Sequence, residues 1–366
     1  LDESTPRLLF VPVSGPFGMG EYARSLAIAQ GAAERWPRAT IQFILSRAAP
    51  YAAQSPFPVT WLASSPTFHS AAVIEIMNDW RPDIVIFDNA GRTAQLRAAR
   101  RIGARVVYIS ARRRQRNKAF RVTWMRLIDE HWIAYPEFIA GKLKFMERLK
   151  RSLLGRPAVR YLDVILTQAR ESPALRLGIP DDYLLMVPGG GTGHPGAGDA
   201  IEVFLQAARA LAALGLDTVL VGQVGTPSAV TEAAPGGPAG ASALGSAAGS
   251  RAQMLGPLPQ AELAELMHGA RLIIANGGST LLQSIACGRA SVAVAIAGDQ
   301  AERIRRCVDL GVAVAAPLAA DAMVKIAADL WRDGARLEAL AGRAVALGLA
   351  DGVDVALRAM TGLLAR

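Results

Sequence analysis

Leu272 to Gln300 reads LIIANGGSTLLQSIACGRASVAVAIAGDQ, and this stretch decides the fold. Leu272 to Ala275 is a short apolar run of the kind that forms a buried parallel strand. Gly277 and Gly278 then permit a tight turn and the close approach of a ligand. Ser279 and Thr280 stand where a helix starts, and Thr280 to Cys287 continues as a helix that Gly288 ends. Unpaired N–H groups at such a start attract phosphate, because the helix dipole favours an anion there. Ser291 to Ile296 predicts the next strand, with Gly298-Asp299-Gln300 at its carboxyl end, the edge where open α/β sheets bind ligands. Two strand ends around one helix start suit a ligand with phosphates at one end and hydroxyls at the other. A nucleotide sugar has that shape.

Working outward, Asp182 to Val187 opens the same sheet and leads into PGGGTGHPGAGD over residues 188–199. A helix over Ala200 to Leu214 and strands over Thr218 to Val221 and Arg251 to Leu255 are expected, with helices from Gln300 to the end. Residues 226–250 are low in complexity and nearly uncharged, which predicts a mobile surface insertion with no site in it.

Upstream lies another alternation of strands and helices. Strands are expected at Arg7 to Val13, Thr40 to Leu45, Asp83 to Phe87, Arg105 to Ile109, His131 to Ala134 and Tyr161 to Leu166. Helices are expected after Glu21 and at Val73 to Trp80, Thr93 to Ile102, Phe120 to Leu127 and Gly141 to Leu154. Such alternation predicts doubly wound parallel sheets. The expected division is an N-terminal domain over 1–168, a linker over 169–182, a second domain over 183–350 and a final helix over 351–366.

The chain has 366 residues, 51% of them hydrophobic, enough for two globular cores. No apolar run reaches the roughly 18 residues of a membrane span. The acidic start, LDESTPRLLF, lacks a signal pattern and predicts a cytoplasmic location. Cys287 and Cys307 have no metal spacing and read as buried thiols. The net charge of +9 is concentrated, since residues 97–126 carry many Arg and Lys and no acidic residue.

The run Gly256-Pro257-Leu258-Pro259-x-x-Glu262-Leu263, then Asn276-Gly-Gly-Ser-Thr280, Ala286-x-Gly288 and Asp299-Gln300, resembles glycosyltransferases of the GT-B fold. It is most similar to the peptidoglycan N-acetylglucosaminyltransferase and to bacterial nucleotide-sugar hydrolases of that fold. The resemblance covers the C-terminal half well and the rest by order of elements. It implies two Rossmann-like, doubly wound domains facing a cleft, and a last helix that crosses back onto the first domain.

It also assigns residues. Gly278, Ser279 and Thr280 become ligands of the donor diphosphate, and Gly190, Gly191, Thr192 and His194 lie near it. Leu258 flanks the base ring. Gln283 stands where relatives use Glu to grip the ribose; being neutral, it leaves open a different donor. Asp299 and Gln300 match a pair that contacts sugar hydroxyls, and Asp299 also reads as a helix N-cap. In the first domain, SGPFGMGEYAR over residues 14–24 is the counterpart turn, with Gly18, Gly20 and Arg24 near the acceptor. Glu21 takes the place of the relatives' His or acid. It reads either as the base that takes the acceptor proton or as a charge favoured at a helix start. Asp88 and His194 are other candidate bases, with Asp88 also read as structural or acceptor-binding. No Asp-x-Asp occurs, so no metal and no cofactor are expected.

The tract from Ser110 to Trp124 has three readings. It is a solvated basic loop, a surface for anionic lipid headgroups with Phe120 and Trp124 as interfacial contacts, or a site for a phosphorylated or acidic acceptor through Arg112 and Arg113. No nucleic-acid module is present. The resulting expectation is an inverting, metal-independent transferase. It moves sugar from a nucleoside diphosphate donor, UDP first, to a hydroxyl of a lipid-linked or cell-envelope glycan, with peripheral contact to an anionic membrane. The rival readings are a nucleotide-sugar hydrolase or epimerase on the same fold, and a non-catalytic basic protein that binds anionic polymer or membrane.

Overall fold

The computed structural model describes residues 5–16, 20–53, 55–166, 173–189, 198–222, 242–247 and 250–365. The chain divides into two compact units, Leu1–Ile165 with Ala350–Arg366, and Leu166–Leu349.

The first unit is built on β1 (Arg7–Pro12), β2 (Thr40–Ser46), β3 (Val59–Leu62), β4 (Ile84–Asp88), β5 (Arg105–Ser110), β6 (Glu130–Ile133) and β7 (Ala158–Tyr161). They lie in the order β3-β2-β1-β4-β5-β6-β7, and every pairing is parallel. The order reverses between β1 and β4, which makes that edge the topological switch point. Successive side chains of a strand face opposite ways, so β1 feeds two cores. Leu8 and Phe10 join Ile28, Ala29 and Met360 on one face, under helices Gly20–Arg35 and Gly352–Leu364. Leu9 and Val11 join Val73, Met77 and Leu96 on the other, under helices Ser70–Trp80 and Thr93–Arg101. Asp351 caps the last helix by accepting from Val353 N at 2.9 Å. Gly31 lets that helix approach, since a Cβ there would meet Val353 Cγ1 at 2.6 Å.

The second unit contains β8 (Leu184–Val187), β9 (Thr218–Val221), β10 (Ser242–Ala247), β11 (Ser250–Leu255), β12 (Leu272–Asn276), β13 (Ala290–Val294) and β14 (Val314–Ala316). The order is β10-β11-β9-β8-β12-β13-β14, parallel except where β10 runs antiparallel on β11. Its switch point lies between β8 and β12. Both units are therefore Rossmann-like α/β layers, and the parallel strands of each reverse order once.

Some expectations need correction. β3 and β14 were not expected; both are short strands, and β14 and β3 each lie at a sheet edge, where an apolar pattern is weakest. β10 falls inside the stretch expected as a mobile insertion, of which residues 226–241 and 248–249 lie outside the described residues. The strand expected over Tyr161 to Leu166 is instead β7, ending at Tyr161, because its ladder to β6 pairs Ala158 with Glu130 and stops at Ile133. The helix expected from Gly141 starts at Phe145, after Gly141 in a left-handed conformation. The Phe120 to Leu127 helix shrinks to Val122–Met125, preceded by Arg113–Ala119. Of the expected linker, residues 169–172 are not described, and Pro173–Arg176 is a helical turn. No helix among the described residues is long and apolar enough to cross a membrane.

Candidate functional site

At the switch point of the first unit, the chain leaves β1 through Ser14 and Gly15. Ser14 Oγ accepts from Ser46 N at 2.8 Å, and Gly15 N donates to the Tyr51 hydroxyl at 3.3 Å. Gly18 lies outside the described residues. Gly20 begins the helix and Glu21 occupies its first turn, where a negative charge is favoured. Across the switch point, Asn89 follows β4 in a left-handed conformation, φ 51°. Its Nδ2 donates to Glu21 Oε1 at 2.8 Å, and its Oδ1 accepts from Ala111 N at 2.9 Å. The half-buried Glu21 carboxylate is thus held by the neighbouring strand end. Asn89 was missed as a site residue, because its bond spans 68 positions.

Arg24 and Asp88 are brought together beneath Glu21 and spend their polar groups on each other. Arg24 Nε and Nη2 donate to the two Asp88 oxygens at 2.8 and 2.7 Å, and Ser25 Oγ donates at 3.4 Å. Asp88 is fully buried. Burial pushes its carboxyl up to about 6, against the pull of Arg24. For Arg24, burial opposes the charge, yet Asp88 outweighs it and raises the guanidinium above its usual value. In this arrangement the pair fixes the helix to the sheet; neither residue presents its charge to solvent.

The basic tract divides into parts with different surroundings. Arg116 is buried, paired with Glu147 at 2.7 Å and donating to the carbonyls of Ala140, Gly141 and Lys142. Arg112 and Arg113 are exposed at the start of a short helix. Phe120 and Trp124 are corrected outright: both are buried, so they are not interfacial contacts. Trp124 Nε1 donates to Thr93 Oγ1 at 3.0 Å, and Lys118 stands over its ring at 4.1 Å. These aromatics hold the tract on the core.

In the second unit, Asn276 is the residue around which the switch point closes. Its Nδ2 donates to Pro188 O at 2.7 Å, and its Oδ1 accepts from Gly278 N at 2.6 Å. One amide thereby ties the turn after β8 to the turn after β12. Gly189, at φ 85°, must be glycine because a Cβ would overlap the Asn276 amide. Gly277 is also tightly placed, since a Cβ there would meet Ile304 Cδ1 at 2.6 Å and force that side chain to shift. Gly278 is the extended N-cap of helix Ser279–Ala286, without a side-chain cap bond. The first N–H groups of a helix lack partners within it, so this start is a ready anion site.

Ser279 is exposed there, with Thr280 and Gln283 half-buried along the same helix. Gln300 is buried over the glycine turn: its Oε1 accepts from Ile296 N at 2.9 Å, and its Nε2 lies 3.8 Å from the Cβ position of Gly278. Arg303 donates to Gly277 O and lies 3.7 Å from Asp299. Asp299 itself is exposed; it holds the N-cap position of helix Gln300–Asp309 but makes no side-chain cap bond. Leu258 packs half-buried against one core of the second unit. Gly190, Gly191, Thr192 and His194 lie outside the described residues. Burial pushes the Cys287 and Cys307 thiols up to about 12 and about 11, which keeps both protonated and inert. Among the described residues, no group of three or more His, Cys, Asp or Glu could hold a metal ion.

No family model and no curated protein matches the chain by sequence. Solved structures do match it in fold. The calicheamicin glycosyltransferase CalG4 aligns with a TM-score of 0.62 over 99% of each chain at 16% identity. MurG of Acinetobacter baumannii gives 0.57 over 93% of this chain and 94% of its own, at 15% identity. A UDP-N-acetylglucosamine 2-epimerase gives 0.59 over 99% and 96%, at 13% identity. The fold is the GT-B fold that these glycosyltransferases and the epimerase share.

Proposed function

We propose that the protein is an inverting, metal-independent glycosyltransferase that carries a sugar from a nucleoside diphosphate, UDP first, to a hydroxyl of a lipid-linked or cell-envelope glycan. The observation that carries this reading is the Asn276 tie, which sets a glycine turn and an open helix start at the switch point of the second sheet. The N–H groups at Ser279 and Thr280 would take the charge that builds on the departing diphosphate as the sugar–phosphate bond breaks. Gln283, Asp299 and Gln300 would hold ribose and sugar hydroxyls. Glu21, oriented by Asn89, would take the proton of the acceptor hydroxyl as its oxygen attacks the anomeric carbon from the opposite face.

Helix Phe145–Leu154 supports contact with an anionic membrane. Phe145, Met146, Leu149 and Leu153 are from 40% to 77% exposed on it. Lys144, Arg148 and Arg151 stand exposed beside them. Basic residues near an anionic surface contribute roughly 1 kcal/mol each, and the apolar side chains add burial. This helix replaces Phe120 and Trp124 as the surface for lipid.

The test is thermal stability with UDP, dTDP, GDP, ADP and CMP, with and without magnesium. A nucleotide at about 100 times its dissociation constant adds roughly 2.7 kcal/mol of stability. One nucleotide raising the melting point without magnesium supports the donor site; no response to any removes it. Glu21→Gln should then lower turnover by roughly 100-fold or more while nucleotide binding persists. The second reading, a hydrolase or epimerase, draws support from the epimerase among the structural neighbours. It predicts that donor is consumed or epimerised with no acceptor present.

A further inference from the structure

The first unit contains a cavity of about 460 Å³ beside the carboxyl ends of its strands. Arg92, Arg114, Lys118 and Arg121 line it, and no carboxylate is among its lining residues that the structure describes. Asn89, which holds Glu21, forms part of the wall. Surface cations are usually interspersed with acids; here four converge on one space with no acid among its described lining residues.

The polar wall supplies a second, independent observation. Ser65 Oγ, Thr67 Oγ1, Tyr108 OH and Gln115 Oε1 are buried and have no hydrogen-bond partner among the described residues. All four residues line this same cavity. A buried polar group left without a partner is costly, so four such groups in the wall of one space mark a wall that the protein alone leaves unsatisfied. Tyr108 is fully buried, and burial holds its hydroxyl well above the usual phenol range, so it stays a donor.

The cations are also oriented. Arg92 Nε donates to Thr67 O at 3.1 Å, which leaves the other guanidinium donors free to reach a ligand. Lys118 is fixed by Gly91 O at 3.0 Å and by the Trp124 ring. Burial, then Arg92, Arg121 and Arg114, bring its amine down to about 8. That crowding of like charges is relieved by an anion. A group with three acceptor oxygens and two charges uses this many donors better than a carboxylate does.

We propose that this cavity binds a phosphate or diphosphate group of the acceptor and so brings its hydroxyl alongside Glu21. The proposal rests on the transferase reading for the word acceptor, but not for the anion site itself. A soluble sugar phosphate and a lipid-linked phosphate share this chemistry.

The experiment titrates the full chain with glucose 1-phosphate and, separately, with farnesyl phosphate in phosphatidylcholine vesicles. The same is done for Arg114→Ala/Arg121→Ala, both exposed positions whose loss spares the core. Each protein is also titrated with the nucleotide that stabilises it most. The expected result is at least a tenfold loss of phosphate affinity in the double variant, with nucleotide affinity unchanged. Response to both probes identifies the phosphate alone as the ligand, and response only to the farnesyl compound adds the lipid. Equal phosphate affinity in wild type and variant overturns the proposal, as does no response of the wild type to either probe. Nucleotide binding with no phosphate response leaves the transferase reading standing and removes the cavity's role. The converse pattern keeps the cavity and removes the transferase.

Discussion

Arg24 closes a two-bond fork on Asp88, at 2.8 and 2.7 Å, with the carboxylate wholly buried. The fork joins the first helix to β4 one turn below Glu21, and so sets where that carboxylate stands. Removing one partner of such a pair leaves a buried, uncompensated charge. Arg24→Leu should destabilise the protein by about 3–5 kcal/mol, whereas Arg24→Leu/Asp88→Leu should recover much of that loss. Urea unfolding of the two variants decides it; equal losses would mean that the fork is not what anchors the helix.

Asn276→Ala should act on both turns of the second unit at once. Two hydrogen bonds at roughly 1 kcal/mol each, one buried and one part-buried, plus a carbonyl and an N–H left unpaired, predict a loss of about 2–4 kcal/mol. Nucleotide affinity should fall at least tenfold beyond what unfolding accounts for. Calorimetric titration well below the melting temperature separates the two effects.

Lys118 sets a pH dependence for phosphate binding. Its amine loses its charge near pH 8 in the folded protein, while a phosphomonoester is already a dianion above its second pKa of roughly 6. Affinity for glucose 1-phosphate should therefore fall as pH rises through about 8. Arg stays charged throughout, so Lys118→Arg should flatten that decline. The linked stability change has the opposite sense. Between about 8 and the ordinary lysine value of 10.5, the unfolded chain binds more protons. The contribution of Lys118 to stability therefore rises with pH over that window and is lost as pH falls through about 8.

Leu149→Glu/Leu153→Glu should abolish binding to phosphatidylglycerol vesicles, while the melting temperature changes little because both side chains are exposed. Sedimentation with vesicles reads the first and thermal unfolding the second. Vesicle binding that survives would remove this helix as the lipid surface.

The central strands were legible because parallel strands covered on both faces are short, unbroken apolar runs, as at Leu8–Val11, Ile84–Phe87 and Leu272–Ala275. Edge strands β3 and β14 were not, since a half-exposed strand of a few residues leaves no such run. The turn at Gly277 and Gly278 is a local signal. What holds it is not local: Asn276 reaches Pro188 across 88 positions, and Asn89 reaches Glu21 across 68. For the same reason the basic tract could be seen only as a block of charge. Its helix turns Arg116 inward to Glu147, Lys118 and Arg114 to a cavity, and Arg112 and Arg113 outward. Periodicity over seven residues, interrupted at Phe120, is too short to read that division.

Helix Gly352–Leu364 packs on the helix that follows β1, so the first unit is completed by a segment that follows the second unit in sequence. This reverses the usual order of events on the ribosome. At about 5–20 residues per second, some 10–40 s separate the emergence of residue 165 from that of residue 364. During that interval the unbroken second unit can close on itself, while the flank of Ile28 and Ala32 waits for Ala356 and Met360. The unit begun first is the one finished last, and its apolar flank is the surface a chaperone would meet during synthesis.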